Sequence, residues 1–357
     1  MNDQPLDELL AKAASDGGED FRADLQLISA EVGFRSSMYS GLGVKVLSVV
    51  GGLLASLSFT GFLFSAELIR SGVSMLVFGL FALAGSIIVN RYVKNLTLDT
   101  AVVSANVIGY ISVAIGLNDL TRSDNLQAVI LLILAVLTLF LSESFMLVLI
   151  AVIVACNCAL ALFLINDAQY FIFLLSGALT LAYTHIHLKE AFWIAKGRRW
   201  NKLYTPVRIG VLLSFLILLG VLSRKEIFVL FRSPLILSSA LIGMGSIFTV
   251  WTALRRMGDK ARPMVKLVIV FSALVLLPGL VSPAVSGAIL VLLVSFYTSH
   301  RNAFFLGLIV LIYSVATYYY DLEYSLLTKS AILFGSGLVF LVAWIMFKRK
   351  LRTYEEA

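Results

Sequence analysis

Charge is what this chain has least of. Only 14% of its 357 residues are Asp, Glu, Lys or Arg, whereas 60% are hydrophobic and the mean hydropathy is +0.95. Soluble domains carry about 25% charged and roughly 45–50% apolar residues. A water-soluble surface cannot be assembled from this composition, so the expected class is a polytopic membrane protein. Cysteine is nearly absent: Cys156 and Cys158 sit together in an apolar run, which excludes a disulfide framework. A thiol surrounded by hydrocarbon also offers little thiolate for redox chemistry.

Histidine is scarce too, with His185, His187 and His300 alone. His185 and His187 precede Glu190 in THIHLKE, but side chains at i and i+2 diverge on a helix, and a zinc site needs three or four converging ligands. No metal and no cofactor is therefore expected. The signatures G-x-S-x-G, H-E-x-x-H and G-x-x-x-x-G-K-[ST] do not occur, which removes the usual hydrolase and nucleotide-loop readings. No ionisable residue falls near the middle of an apolar run; Asp99, Glu143, Arg208 and Lys329 lie at ends. Coupled carriers place such groups at the midplane, so a pump or an intramembrane protease is disfavoured. The formal charge of +7 is spread over loops rather than gathered in a basic domain. Nucleic acid is thus not an expected partner, and topology with lipid headgroups accounts for the cations.

What the chain has in quantity is long apolar runs. A helix needs about 20 such residues to cross roughly 30 Å of hydrocarbon. Twelve spans are predicted, near 46–65, 72–90, 100–117, 126–142, 145–165, 168–184, 206–223, 234–254, 263–280, 283–299, 302–319 and 328–347. The fold class is all-α, a transmembrane helix bundle of about 12 spans. Short breaks at 142–144, 166–167 and 278–283 leave counts of ten or eleven open, should one pair be a re-entrant hairpin. The first 40 residues are polar. Leu6, Leu9, Leu10 and Ala13, and then Leu25, Ile28 and Val32, recur at helical spacing, so two short amphipathic helices are expected there. No basic n-region runs into an apolar core, so insertion is expected to use the first span itself.

Five segments follow: a cytoplasmic N-terminal stretch 1–40, a first six-helix half 44–184, a basic cytoplasmic linker 185–205, a second half 206–347 and a cytoplasmic tail 348–357. Lys and Arg collect in the loops that are internal if the N-terminus is inside, so both termini are expected in the cytoplasm. A parallel internal repeat would relate the halves: Gly85-Ser86-Ile87 is echoed by Gly245-Ser246-Ile247, and Ser176-Gly177 by Ser336-Gly337. Small residues at helical spacing, Gly52-Ser56-Thr60, Ala105-Gly109-Ser112-Gly116 and Ser239-Gly243-Ser246, suit close helix packing. Of the six prolines, five fall beyond residue 200. Pro206, Pro234, Pro263 and Pro283 stand at predicted span starts, where a missing N–H is harmless. Pro278-Gly279 should break the ninth span and is a candidate hinge. Asn106 and Asn157, the most polar mid-span residues, are candidates for helix association or cavity lining.

The most polar outer feature is Tyr318–Gly337, YYYDLEYSLLTKSAILFGSG. Tyrosines are at home at the headgroup level, but Asp321, Glu323 and Lys329 need not accompany them. Asp321, Ser325 and Lys329 recur every four residues, so acid and amine can share a helix face. Tyr319, Tyr320, Asp321, Glu323, Tyr324 and Lys329 are the candidate docking or locking residues. Tyr319-Tyr320-Asp321-Leu322-Glu323, Leu326-Leu327, Lys329-Ser330 and a final span with Gly335 and Gly337 resemble the last hairpin of the bacterial domain of unknown function 4401 family. Spans near Asn95–Leu117 are similar in hydropathy and small-residue pattern. The resemblance implies a multi-pass protein of the bacterial cytoplasmic (inner) membrane, often found beside another multi-pass protein and a small envelope protein with a Gly-Asp-Tyr motif. It carries over no catalytic role.

Two functions fit. The first is a non-enzymatic component docking an envelope or membrane protein through its outer loops. The alternative is a carrier of a neutral or amphipathic small solute past Asn106 and Asn157. An enzyme would have to rest on the three histidines.

Overall fold

In a computed structural model of the chain, the residues described are 71–92, 96–224, 233–256, 282–321 and isolated positions within 51–65, 268–279 and 327–345. Every regular element among them is helical: α1 (Gly72–Tyr92), α2 (Leu96–Thr121), α3 (Asp124–Leu141), α4 (Phe145–Ile165), α5 (Ile172–Leu188), α6 (Glu190–Ala195), α7 (Arg198–Leu222), α8 (Ser233–Arg256), α9 (Pro283–Tyr297) and α10 (Arg301–Asp321), with one 3₁₀ turn, Gln169–Phe171. Seven of these, α1 to α4, α7, α8 and α10, are long and apolar enough to cross a membrane, while α5 and α9 are apolar but shorter. This is the arrangement hydrocarbon demands, because a helix pairs all of its own backbone groups. The predicted spans 46–65, 263–280 and 328–347, and the two N-terminal helices, lie outside the described residues apart from the isolated positions.

Several connections among the described residues are short, and three of them turn on a left-handed residue: Arg122 (φ 47°), Asp167 (φ 50°) and Ser299 (φ 57°). Each turn closes backbone bonds that the helix end leaves open, as where Ser123 Oγ accepts from Leu126 N in α3. The α1–α2 pair is held differently. Gly72 faces Gly116 and Gly79 faces Gly109, an antiparallel seam repeating every seven residues. A Cβ at Gly79 would lie 2.7 Å from Val113 N, and one at Gly116 would lie 2.7 Å from Leu76 N. Only glycine lets the two backbones approach so closely. At the open end of the seam the Asp119 carboxylate accepts from Gly72 N at 2.9 Å, capping α1.

Two apolar cores result. Leu83, Tyr110, Val113, Leu117 and Ala135 join α1, α2 and α3. The larger core joins α4, α5, α7, α8 and α9 around Tyr183, Phe215, Leu219, Leu290 and Val294, so helices on both sides of the 185–205 linker pack into one another. One proline differs from expectation. Pro206 lies inside α7 rather than at its start, because Arg198–Thr205 already winds as helix. A proline there removes one backbone bond, but the helix continues and carries Arg208 into the protein, only 9% exposed. Pro283 does stand in the first turn of its helix.

The glycine seam has a direct consequence. Gly79→Ala drives a methyl into backbone and is expected to destabilise the purified protein by about 1–3 kcal/mol. Gly85→Ala, whose Cβ meets nothing within 4 Å, should leave the unfolding temperature in detergent unchanged. Equal stability of the two variants would contradict the seam.

Candidate functional site

Polar contacts gather at the two ends of the bundle. At one end are the Asp119 cap and a reciprocal amide pair: Asn125 Nδ2 donates to Asn166 Oδ1 at 2.8 Å, and Asn166 Nδ2 donates to Asn125 Oδ1 at 2.7 Å. At the other end the 185–205 segment is tied down at several points. Lys202 donates to Glu143 at 2.9 Å in the α3–α4 turn, and Arg199 donates to the Phe140 carbonyl. The adjoining ammonium and guanidinium groups hold the Glu143 carboxyl below its ordinary range, Lys202 foremost.

The densest cluster is centred on Arg208. Its guanidinium donates to His300 Nε2, lies 3.5 Å from Glu190, and sits 5.3 Å from the Tyr204 ring centre. Tyr204 in turn donates to the Ile186 carbonyl at 3.2 Å. Glu190 Oε2 is 4.0 Å from His300 Nε2. His187 is buried against the same group, its ring 6.0 Å from that of His300 and its Nδ1 donating to the Tyr183 carbonyl at 2.8 Å. Beyond it Tyr183 OH is 3.4 Å from Ser295 Oγ. Five pieces of chain supply these residues: the end of α5, the start of α6, α7, the end of α9 and the turn before α10. That turn is built by His300 N donating to Ser295 O at 3.0 Å across Ser299.

The cluster has a defined proton arrangement. Arginine has no acceptor, so His300 Nε2 must offer a lone pair and the ring is neutral. Partial burial lowers the His300 pKa and Arg208 lowers it further, while Glu190 and the Thr298 backbone act the other way. The third histidine, His185, stands apart, edge-on to Trp193 at 5.9 Å. Among the described residues no group of three or more His, Cys, Asp or Glu could hold a metal ion.

The sequence candidates fall elsewhere. Asn106 is fully buried between α1 and α2 and donates to Ser86 Oγ at 3.0 Å. Asn157 returns to its own helix, donating to the Ile153 carbonyl at 2.8 Å. Neither lines the cavity beside Met244, Phe248 and Trp251 or the one beside Trp193 and Trp200. Tyr319 and Tyr320 make an edge contact at 6.0 Å in the last turn of α10, and Asp321 ends that helix. Gly279 is buried and its carbonyl accepts from Ser286 Oγ at 2.7 Å. Pro278, Glu323, Tyr324 and Lys329 lie outside the described residues. Sequence reading named Glu190, Arg208 and His300 without joining them. A usable signal was there: all three sit on one side of the bundle, where scarce polar groups must find one another.

The described residues define an all-helical protein of the membrane-spanning class, with most of their charge near the helix ends. Residues 42–350 match the family described as Domain of unknown function (DUF4401), and the chain belongs to that family. No curated protein and no solved structure matches it.

The depressed His300 pKa sets a sign. An unfolded chain binds its proton more readily, so this residue's contribution is complete above the ordinary value of 6.5 and is lost as pH falls below it toward the folded value. Arg208, Glu190 and His187 face the ring and would feel the new charge. Acidification through 6.5 is expected to lower the unfolding temperature in detergent. In His300→Gln, which keeps an acceptor for Arg208 but cannot titrate, that step should shrink. An unchanged pH profile in His300→Gln would refute the assignment.

Proposed function

We propose that the protein is a non-enzymatic component of the bacterial cytoplasmic membrane, docking a membrane or envelope protein through the outer hairpin that follows α10. The observation that carries this reading is the course of α10. It runs unbroken from Arg301 to Asp321, and 20 helical steps rise about 30 Å, one hydrocarbon thickness. Tyr318–Tyr320 therefore stand at the opposite membrane boundary from His300. Tyr320 is 80% exposed there, immediately before Asp321, Glu323 and Lys329 in the sequence.

The orientation follows from charge. Arg91, Lys189, Lys196, Arg198, Arg199, Lys202, Arg255 and Arg301 belong to the end that holds the His300 cluster, whereas Arg122 and Arg224 belong to the tyrosine end. The positive-inside rule makes the first end cytoplasmic. Both termini then lie inside, twelve spans form two sets of six, and a parallel repeat is the simplest relation between the sets.

A carrier of a neutral or amphipathic solute is the second reading. It is favoured by Asn106 Oδ1, which is buried without a hydrogen-bond partner. A genuine solute contact there would make Asn106→Leu lose uptake while remaining folded.

The docking reading is tested by a photo-crosslinking amino acid at position 320 in native membranes. It should trap one discrete protein, with the yield falling in Lys329→Met. Adducts to lipid alone would overturn it.

A further inference from the structure

We infer that the α6–α7 junction is a binding site for an anionic phospholipid, a reading that rests only on the chain being a membrane protein. The junction turns at Gly197, whose φ of 142° is open to glycine but strained for other residues. That turn folds Trp193 and Trp200 together, with ring centres 5.3 Å apart. The Lys196 ammonium lies over both indoles, 5.2 Å from one centre and 5.0 Å from the other. Beneath them is an apolar cavity of about 80 Å³ lined by Ile186, Trp193, Trp200, Leu203, Tyr204 and Val207. Phe192 and Trp200 remain 58% and 41% exposed.

Three features point to the ligand. First, this is a membrane boundary: α5 has just emerged and the apolar part of α7 has yet to begin, so aromatic rings meet lipid at headgroup depth. Second, the cations outnumber their partners. Arg199, Lys202 and Arg208 are engaged by Phe140, Glu143 and the Glu190–His300 pair. Lys189, Lys196 and Arg198 form no salt bridge among the described residues. Third, Trp193 Nε1 is shielded from water and has no hydrogen-bond acceptor. A buried donor without a partner is costly, and turning the Trp193 ring outward would let a lipid phosphate or ester oxygen supply the acceptor. An anionic headgroup on Lys196 and its neighbours, with the first part of an acyl chain along the indole-lined cavity, satisfies all three. A free phosphate would satisfy only the charge.

The test uses the full chain with Trp251→Phe and Trp344→Phe, so that of its four tryptophans only Trp193 and Trp200 emit. It is reconstituted in phosphatidylcholine vesicles containing a small fraction of either dibrominated phosphatidylglycerol or dibrominated phosphatidylcholine. The anionic lipid should quench at a lower mole fraction than the zwitterionic one. That preference should fall about fivefold for each cation removed in Lys196→Gln and then Lys189→Gln/Lys196→Gln. Soluble glycerol phosphate should not compete. Equal quenching by the two lipids would overturn the inference, and that comparison needs no charge variant to fold. Retention of the preference in the double variant, or its loss to glycerol phosphate, would overturn it too. The Tyr320 crosslinking result has no bearing on either outcome.

Discussion

Hydrocarbon offers no partner to a polar group, and nearly every feature of this molecule follows from that. Backbone groups are satisfied by winding the apolar runs into helices. Many side-chain hydroxyls inside them bond to their own helix, as Thr184 and Thr249 do to the carbonyls of Thr180 and Gly245. Charges are driven to the ends, where the few that exist must share partners. With so little polar chemistry available, helix association depends on shape. The Gly72–Gly116 and Gly79–Gly109 contacts bring two backbones together with no side chain between them, the arrangement that dispersion and close packing favour in lipid.

Much of the fold was legible in the residues. Hydropathy alone placed helices near their observed positions, because a run of about 20 apolar residues has few other solutions. The stripe Ala105-Gly109-Ser112-Gly116 announced close packing, although nothing in one chain said that Gly79 and Gly72 would be its partners. The start of α7 was missed because Pro206 reads as a beginning. Tertiary contacts hold Arg198–Thr205 in helix ahead of it: Lys202 on Glu143, Arg199 on Phe140 and Tyr204 on Ile186. The site was less legible than the fold for the same reason. Arg208 and His300 are 92 residues apart, and periodicity carries no information over such a distance.

The Arg208 cluster changes what the scarce charges mean. At the level of sequence, Arg208 is a residue at a span end that needs no explanation. In the folded protein it lies ten residues into α7 and is nearly buried, a position that costs several kcal/mol for an unpaired cation. Glu190 and the His300 lone pair offset that cost, and the Tyr204 ring adds to the offset. Because the partners come from α6 and from the turn before α10, the pairing also fixes how the linker segment meets the later helices. Removing one partner would leave the others buried and uncompensated, so the group acts as a unit.

That unit bears on the tryptophan pocket. The segment 189–202 is built on α6, a six-residue helix too short to persist unaided. It is fixed at its start by Glu190 on Arg208 and at its end by Arg199 and Lys202 on the α3–α4 turn. Between those anchors Gly197 sets the fold-back of Trp193 on Trp200, and Tyr204, which contacts Arg208, also forms a wall of the cavity. The aromatic-cationic face is therefore preorganised by contacts on its far side rather than assembled by whatever binds it. A ligand meeting such a surface forfeits little ordering entropy. The electrostatic cluster and the interfacial pocket are thus two faces of one short segment, and the buried face determines the geometry of the exposed one.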